Sequence, residues 1–310
     1  MVKKQVRRRK RRKSKQALIG YLFLSPVFLF YSIFLVFPIG FSLYLSFHRW
    51  NMLTPPLKAR YMGMKHFTYL LIQDETFLIV LKNTLFYALG TVFIGMILAL
   101  IVALAFSRTK YSSIWRFVYF APVVTPPVAI GMIWGYLYRP TDGLINTVLR
   151  WFYLPGQQWL SSPAQALPSI MITGMWAGVG FTMLIFIAGL KGIPEMYYDA
   201  ARIDGANFWQ AFWHITLPLL KPTILFVLVT GMIGAWQVFD LVFMMSSGGI
   251  DTGVVPFESV GVVALHMYQT AFRYMRMGRA SAMAFILFLV VLAFTLIELR
   301  VLRRGGVESY

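Results

Sequence analysis

The chain has 310 residues, of which 58% are hydrophobic and only 13% are charged, too apolar a composition for a soluble domain of this length. Its net charge is +18, and it contains no cysteine, which excludes disulfides, thiolate metal sites and cysteine nucleophiles. Several charge-free stretches reach the roughly 20 helical residues that cross a hydrocarbon core. The composition therefore predicts an all-α polytopic membrane protein.

The N-terminal tail, residues 1–17, carries ten Lys and Arg residues and no acid. Such a run can bind nucleic acid, but this one directly precedes an apolar stretch. Positive residues in that position stay cytoplasmic and contact anionic headgroups. We therefore interpret the tail as a topology signal that contacts membrane lipid, and we expect no nucleic-acid partner. The apolar stretch lacks a small-residue cleavage site and is too long for a signal peptide, which predicts a retained helix.

Residues 18–304 are predicted to form one transmembrane domain with six spans. The spans are expected at about 18–47, 83–107, 117–138, 169–190, 222–245 and 280–299. The first lies in a charge-free stretch interrupted by Pro26 and Pro38. The segment Glu258–Phe272 is only moderately apolar, so we expect an external surface helix there, with a seventh span as the alternative.

An even number of spans puts both ends of the chain on one side of the membrane. With the basic tail inside, 19 of the 29 Lys and Arg residues are cytoplasmic and ten are external, which agrees with the positive-inside rule. The C-terminal tail, residues 305–310, and the loop 191–218 between spans four and five are then cytoplasmic as well. The predicted location is a membrane that the chain crosses several times.

The first half of the loop 191–218 has the pattern of an amphipathic helix. Pro194 and Glu195 suit its first turn, where a missing N–H costs nothing and a negative charge meets the positive helix end. Met196, Ala200 and Ile203 follow at spacings of four and three, which places them on one apolar stripe.

The second half of the loop predicts a turn and another helix. Gly205 can adopt the left-handed conformation that ends a helix. Asn207 is the expected N-cap of the next helix, with Gln210 three residues later as its reciprocal partner, and Pro218 is expected to end that helix. From the pattern alone, an amphipathic hairpin resting on lipid headgroups explains the loop equally well.

The spacing of the loop resembles that of a known family. Asp199-Ala200-Ala201, three residues, Gly205, nine residues and Ile215-Thr-Leu-Pro218 resemble the Glu-Ala-Ala loop in permease subunits of binding-protein-dependent ABC importers. The flanking Ile203-Asp204-Gly205-Ala206 and Leu217-Pro218-Leu219-Leu220 are similar to its carbohydrate-uptake branch, in particular to the maltose F-type and glycerol-phosphate A-type permeases.

The resemblance extends over most of the chain. Leu24-Ser25-Pro26, Lys82-Asn83-Thr84-Leu85, Phe239-Asp240 and Ser247-Gly248-Gly249 all resemble this branch. The chain departs from the family at Asp199, where glutamate is usual, and at Ile250, where proline commonly follows the two glycines.

The resemblance implies an importer in the inner membrane of a bacterium or archaeon. Its expected partners are a second permease that is a different chain, two cytoplasmic ATPases and an external binding protein, either a lipoprotein or a periplasmic protein. Residues expected to couple to an ATPase are Asp199, Ala200, Ala201, Arg202, Asp204, Gly205, Ala206, Leu217 and Pro218. The sequence has no Gly-x-x-x-x-Gly-Lys-[Ser/Thr] motif, so this chain lacks a P-loop. We expect ATP and Mg²⁺ on the partner ATPases, and neither enzymatic activity nor a bound cofactor or metal in this chain.

A substrate path would need small residues that leave room, aromatic faces and hydrogen-bonding groups. Candidates in spans three, four and five are Val123, Thr125, Pro127, Gly174, Trp176, Gly178, Gly231, Gly234, Trp236 and Gln237. The resemblance implies a sugar pocket at several of these positions and at Ala235. At about 1.5 Å per residue, Gly178 and Gly231 lie roughly 14–18 Å from the cytoplasmic edge, near the midplane. The alternative is that the glycines only allow close helix packing.

Other classes of function are less consistent with the sequence. Asp240 is the one acid placed inside a predicted span, and it falls near the outer interface, where a helix-end role is expected rather than proton relay. An ion-coupled secondary transporter often shows mid-depth carboxylates and inverted repeats, which are not evident here. The four histidines are isolated, which disfavours a membrane hydrolase. A non-sugar cargo such as a polyol phosphate remains an alternative.

Overall fold

The computed structural model describes residues 20–107, 112–246 and 256–303. Both predicted tails, the basic residues Arg108 and Lys110 and the motif Ser247–Gly249 lie outside this part of the chain. In chain order, the helices are α1 (Gly20–Ser46), α2 (Lys65–Thr68), α3 (Glu75–Ser107), α4 (Ser112–Phe120), α5 (Pro127–Leu137), α6 (Leu144–Trp151), α7 (Pro163–Lys191), α8 (Glu195–Ile203), α9 (Phe208–Leu219), α10 (Lys221–Trp236), α11 (Asp240–Ser246), α12 (Phe257–Val260), α13 (Val263–Tyr268) and α14 (Met277–Arg303).

The described residues also include one short ribbon of two antiparallel strands. Strand β1 is His48–Arg49 and strand β2 is Arg60–Tyr61, with His48 opposite Tyr61 and Arg49 opposite Arg60. Wide π-helical turns lie at Ser32–Val36, Tyr69–Gln73, Phe212–Thr216 and Gln269–Arg273, and 3₁₀ turns at Pro56–Lys58, Ala121–Val124 and Trp159–Ser161.

Four of the described helices, α1, α3, α7 and α14, are long and apolar enough to cross a membrane. Two bent pairs also qualify if each is one span. Ile114–Val124 meets α5 at 99°, and α9 meets α10 at 63°. The first bend contains Pro122, Pro126 and Pro127. Because proline lacks an N–H and its ring crowds the preceding turn, these residues interrupt the helix there. The described residues thus hold four to six spans.

Two predicted spans have the wrong bounds. Helix α3 begins at Glu75 rather than at residue 83, because the Asp74 carboxylate accepts the Phe77 N–H at 3.1 Å and caps the helix. A continuous helix over 222–245 is also wrong, since α10 ends at Trp236 and α11 begins at Asp240. Asp240 therefore lies at a helix start, where its negative charge meets the positive end of the helix.

The predicted surface helix at Glu258–Phe272 is wrong. The segment forms two short helices, α12 and α13, and Val260, Val262 and Leu265 are buried. Polar side chains of α3 form hydrogen bonds with backbone groups of this segment. The Asn83 amide donates to the carbonyls of Glu258 and Gly261 at 2.7 and 3.1 Å, and the Thr84 hydroxyl accepts the Val263 N–H at 2.9 Å. The polar residues of this segment favoured a surface position, although its backbone packs against α3 and forms hydrogen bonds there.

The helices have two distinguishable ends. At the ribbon end, the start of α14 touches the end of α1, where Gly278 lies against the His48 carbonyl. The Tyr138 hydroxyl, just after α5, donates to the Ser169 carbonyl near the start of α7. At the opposite end, named the elbow end, the last turns of α3 and α7 meet α8 and α9. Helix α3 packs against both α7 and α10.

Candidate functional site

The first candidate site is the elbow, which comprises helices α8 and α9 (Glu195–Leu219). Pro194 has extended geometry, and the helix starts at Glu195, as the sequence predicts for the first turn. Ile193 before the elbow and Leu220 after it are buried, so both ends are anchored in the helix bundle. The elbow therefore projects from fixed points.

A glycine forms the corner of the elbow. Gly205 has a φ of +76°, the left-handed conformation expected from the sequence. Its N–H donates to the Arg202 carbonyl at 3.1 Å, and the Ala206 N–H donates to the Ala201 carbonyl at 2.8 Å. This pair of bonds is the Schellman motif, which satisfies the last carbonyls of α8 and turns the chain sharply.

The second arm of the elbow starts with a capping box. The Asn207 side chain accepts the Gln210 N–H at 2.9 Å, and the Gln210 side chain accepts the Asn207 N–H at 2.8 Å, as predicted. Pro218 was expected to end this helix, and α9 ends one residue later, at Leu219. The π turn Phe212–Thr216 lies within α9, shortly before Pro218. It changes the backbone hydrogen-bond pattern next to the residue that has no N–H to donate.

A hydrogen bond that sequence reasoning missed joins the two arms. The hydroxyls of Tyr198 on α8 and Thr216 on α9 are 2.9 Å apart. A cavity of about 570 Å³ lies on this concave side, between the arms and the end of α3 at Leu104. No local pattern links residues 18 positions apart, so only the folded turn brings them together.

The outward face of the elbow is apolar and uncovered within this chain. Ile203 is 87% exposed and Met196 is 70% exposed, and both belong to the predicted stripe. Phe208, Trp209 and Trp213 on the second arm are exposed as well. A surface that faces water rarely gathers so many large apolar groups at one tip, so this face is expected to contact a protein partner or lipid.

The predicted coupling residues are distributed over this corner. Asp199, Ala200, Arg202, Asp204, Gly205 and Pro218 are exposed, whereas Ala201, Ala206 and Leu217 are half-buried. Asp199 and Arg202 form an ion pair at 3.1 Å. Because both side chains are exposed, the pair contributes only about 0–1 kcal/mol and leaves the two charges accessible.

The second candidate site is a groove of about 310 Å³ between α3, α7 and α10. Four predicted path residues line it together, Gly174 and Gly178 from α7 and Gly231 and Gly234 from α10. The groove also contains four hydroxyl side chains that the sequence analysis did not select, namely Tyr87, Thr91, Thr182 and Thr230. Tyr87 and Thr91 are one helical turn apart on α3, a spacing that would have placed them on one face.

The glycines of α7 and α10 differ in what a side chain would meet. An added Cβ at Gly178 or Gly234 would have no heavy atom within 4 Å, so both face open space. At Gly174 it would lie 2.5 Å from the Tyr87 hydroxyl oxygen. At Gly180 it would collide with the Tyr119 carbonyl. Gly180 thus serves close packing, whereas Gly178 and Gly234 leave room in the groove.

The remaining predicted path residues lie away from the groove. Val123 and Thr125 are half-buried and Pro127 is exposed, all at the bend between α4 and α5. The Trp176 ring meets the Trp134 ring at 5.4 Å. Trp236 is buried in the core against Phe294. Gln237 lines a different, apolar cavity.

The fold is that of a polytopic membrane protein, with membrane-length helices and two bent pairs of helices. Its glycine-lined groove and its exposed helical corner are typical of a transport subunit. The chain belongs to the family described as binding-protein-dependent transport system inner membrane component, which matches residues 92–304. The family resemblance inferred from the loop is therefore confirmed.

Individual relatives support the same class. The probable ABC transporter permease protein YesP of Bacillus subtilis is 36% identical over 288 residues, covering 91% of this chain and 90% of the relative. The trehalose/maltose transport system permease protein MalF of Thermococcus litoralis is 30% identical, covering 93% and 95%. A crystal structure of a bacterial ABC transporter that imports alginate has the same fold, with a TM-score of 0.82, 24% identity and coverage of 96% and 99%.

Proposed function

We propose that this chain is one of two permeases in an ATP-driven importer and forms half of the path for a sugar or oligosaccharide delivered by an external binding protein. The observation that carries this proposal is the pairing of an open, hydroxyl-containing groove with an exposed apolar elbow at one end of the same helices. The trehalose/maltose relative supports a carbohydrate cargo.

The proposed topology has six spans, in which α4 and α5 together form one crossing and α10, which follows the elbow, begins another. The order of contacts supports it. Helix α3 leaves the ribbon end and reaches the elbow end, the pair α4 and α5 returns, α7 descends again, and α10 rises from the elbow. With the basic tail inside, the elbow and both termini are cytoplasmic. The ribbon end is then external.

The elbow is proposed to dock on a partner ATPase that holds ATP and Mg²⁺. Its exposed apolar side chains, Ile203 and Met196 above all, would enter a cleft of that partner, while the accessible charges of Asp199 and Arg202 would set its orientation. The anchors at Ile193 and Leu220 would pass movement to α7 and α10, which form two walls of the groove. In this division of labour the chain itself hydrolyses no nucleotide.

The groove is proposed as the part of the substrate path that this chain contributes. Thr91 and Thr230 each donate their hydroxyl proton to a carbonyl of their own helix at 2.6 Å, so their oxygens can accept from sugar hydroxyls. Tyr87 and Thr182 add two further hydroxyls, and the open glycines leave space for a ring. Most other lining residues are apolar, so binding in the groove would be weak. Specificity would then lie mainly in the external binding protein.

An ion-coupled transporter is the main competing class. No acidic side chain lines the groove among the described residues, and a proton or sodium relay at mid-depth would need one. A polyol phosphate is the competing cargo. The apolar lining of the groove carries no cation for such an anion, which favours a neutral sugar in this part of the path.

Reconstitution in proteoliposomes tests the proposal. We expect sugar uptake only when this chain is combined with its second permease, its ATPase, its binding protein and ATP inside the liposome. The chain alone should be inert under a proton or sodium gradient. Uptake by the chain alone under such a gradient would overturn the proposal, and a phosphate ester as the ligand of the binding protein would overturn the choice of cargo.

A further inference from the structure

A second, strongly basic cavity lies at the ribbon end, far from both sites above. It has a volume of about 930 Å³ and is lined by six cations, Arg49, Lys58, Arg60, Lys65, Arg276 and Arg279. No acidic side chain lines it, and within the described residues none of the six cations is ion-paired. Like charges gathered in this way repel one another unless an anion is present.

The six cations lie on the side of the membrane where positive residues are disfavoured. Under the six-span topology, ten Lys and Arg residues of this chain are external, and six of those ten line this single cavity. Positive residues are disfavoured on the external side of a membrane protein. The start of the 27-residue helix α14 adds the positive end of a helix dipole beside Arg276 and Arg279.

Arg279 is held in place at the base of the cavity. Its guanidinium lies 3.9 Å from the centre of the Tyr69 ring, and its Nε is buried without a hydrogen-bond partner. Its remaining N–H groups are available for an anionic oxygen, which is the partner that a guanidinium fork fits well.

An apolar cavity of about 920 Å³ adjoins the basic one. The two share Trp50, and the residues around the start of α14 are divided between them. Met277 and Ala280 line the apolar cavity, whereas Arg279 and Arg276, which directly precedes the helix, line the basic one. Phe41 on α1 and Phe288 on α14 line the apolar cavity, which opens toward the outside of the bundle. Tryptophan prefers this boundary between an apolar and a polar layer.

We propose that these two cavities together bind an anionic phospholipid, with the phosphate headgroup among the six cations and an acyl chain in the apolar cavity. The amphiphilic pairing favours a lipid over the acidic face of a protein, because such a face would occupy only the basic half. It also favours a lipid over a soluble anion, which would leave the apolar half empty.

Quenching of Trp50 by brominated lipid tests the site in the assembled transporter. The complex is placed in nanodiscs of phosphatidylglycerol and phosphatidylcholine, and one of the two lipids is brominated on its acyl chains. The same measurement on Trp50→Phe isolates the signal of Trp50. We expect stronger quenching by brominated phosphatidylglycerol than by brominated phosphatidylcholine.

A charge-matched pair of variants assigns this preference to the cavity. Arg60→Gln with Arg276→Gln removes two exposed cavity cations and should weaken the preference roughly twenty-fivefold, since each cation near an anionic lipid strengthens binding roughly fivefold. Arg139→Gln with Arg150→Gln removes two cations at the same end but outside the cavity and should leave the preference unchanged.

Four results would overturn the proposal. Equal quenching by both lipids would remove the headgroup preference. Absence of quenching by either would mean that the second permease fills the apolar cavity. Loss of the preference on adding inorganic phosphate would identify a soluble anion as the ligand. An unchanged preference in Arg60→Gln with Arg276→Gln would place the lipid elsewhere.

Discussion

The elbow and the groove are built in different ways. The elbow is fixed by short-range hydrogen bonds, at Gly205 and between Asn207 and Gln210, and it leaves its large apolar side chains uncovered. The groove is assembled from three helices, α3, α7 and α10, whose residues are far apart in sequence. A transporter that couples ATP hydrolysis to substrate movement needs both. It needs a rigid element that contacts the ATPase and a groove whose shape changes when the helices move.

The elbow and groove should therefore fail differently when altered. A change that breaks the elbow should abolish ATP hydrolysis stimulated by the binding protein and abolish transport with it. A change that fills the groove should block transport while stimulated hydrolysis continues. The following substitutions test this separation.

The largest effect is expected at the corner of the elbow. In Gly205→Pro the φ of +76° is inaccessible and the bond from the Gly205 N–H to Arg202 is lost, at a local cost of about 3 kcal/mol. Stimulated hydrolysis should fall roughly a hundredfold. Gly205→Asn is the matched control, because asparagine tolerates the left-handed conformation and should retain most of the activity. Equal activity of the two variants would contradict a role for this corner.

The second effect concerns the groove. Gly178→Trp places an indole in open space, so the helix should fold normally while the groove closes. We expect transport to fall by roughly tenfold or more, with stimulated hydrolysis retained. Ile172→Trp, at an exposed position of the same helix outside the groove, should transport normally. Normal transport by Gly178→Trp would argue strongly against a path here.

A smaller effect is expected from the capping box. Asn207→Ala removes the acceptor of the Gln210 N–H and should destabilise the second arm by about 1 kcal/mol. Stimulated hydrolysis should decline about fivefold, because the ordered arm is populated less. Asn207→Ser restores an oxygen acceptor at the same position and should recover most of the loss. A failure of serine to rescue would show that capping is not the relevant role of Asn207.

The smallest effect is expected from the bond between the two arms. Tyr198→Phe keeps the ring and removes the hydroxyl that meets Thr216 at 2.9 Å. A typical hydrogen bond contributes about 1 kcal/mol net, and Thr216 also donates to the Ala211 carbonyl, so part of the arrangement persists. Proteolytic nicking of the elbow should increase slightly. Faster transport in this variant would mean that the bond restrains the elbow instead of supporting it.

The difference between the elbow and the groove also explains which of their residues could be predicted from the sequence. A glycine at a corner and Asn-x-x-Gln at a helix start each indicate one local structure, so the corner and the capping box of the elbow were predictable from the sequence. The bond between Tyr198 and Thr216 was not, because it joins residues 18 positions apart. The groove was predictable only in part. Gly174, Gly178, Gly231 and Gly234 stood out as small residues, but Thr182 and Thr230 are ordinary helix residues until the packing places them beside Tyr87.

The misplaced elements have the same cause. The bonds that join Asn83 to Glu258 and Thr84 to Val263 span about 175 residues of sequence, and no local pattern indicates them. Glu258 and His266 are polar and favoured a surface helix, whereas the Glu258 carbonyl accepts from Asn83 on α3 and the His266 side chain is buried. Trp236 was chosen as a groove aromatic, yet it faces the core on the other side of α10.

The exposed face of the elbow offers the most direct test of the central claim that this face grips a partner ATPase. Met196→Asp with Ile203→Asp alters two side chains that contact little in this chain, 70% and 87% exposed, so the fold should persist. Tyr153→Asp, at a 98% exposed position outside both sites, is the control. ATP hydrolysis stimulated by loaded binding protein should fall roughly tenfold or more in the double variant and stay normal in the control. Full stimulation in the double variant, with the complex intact, would contradict the account.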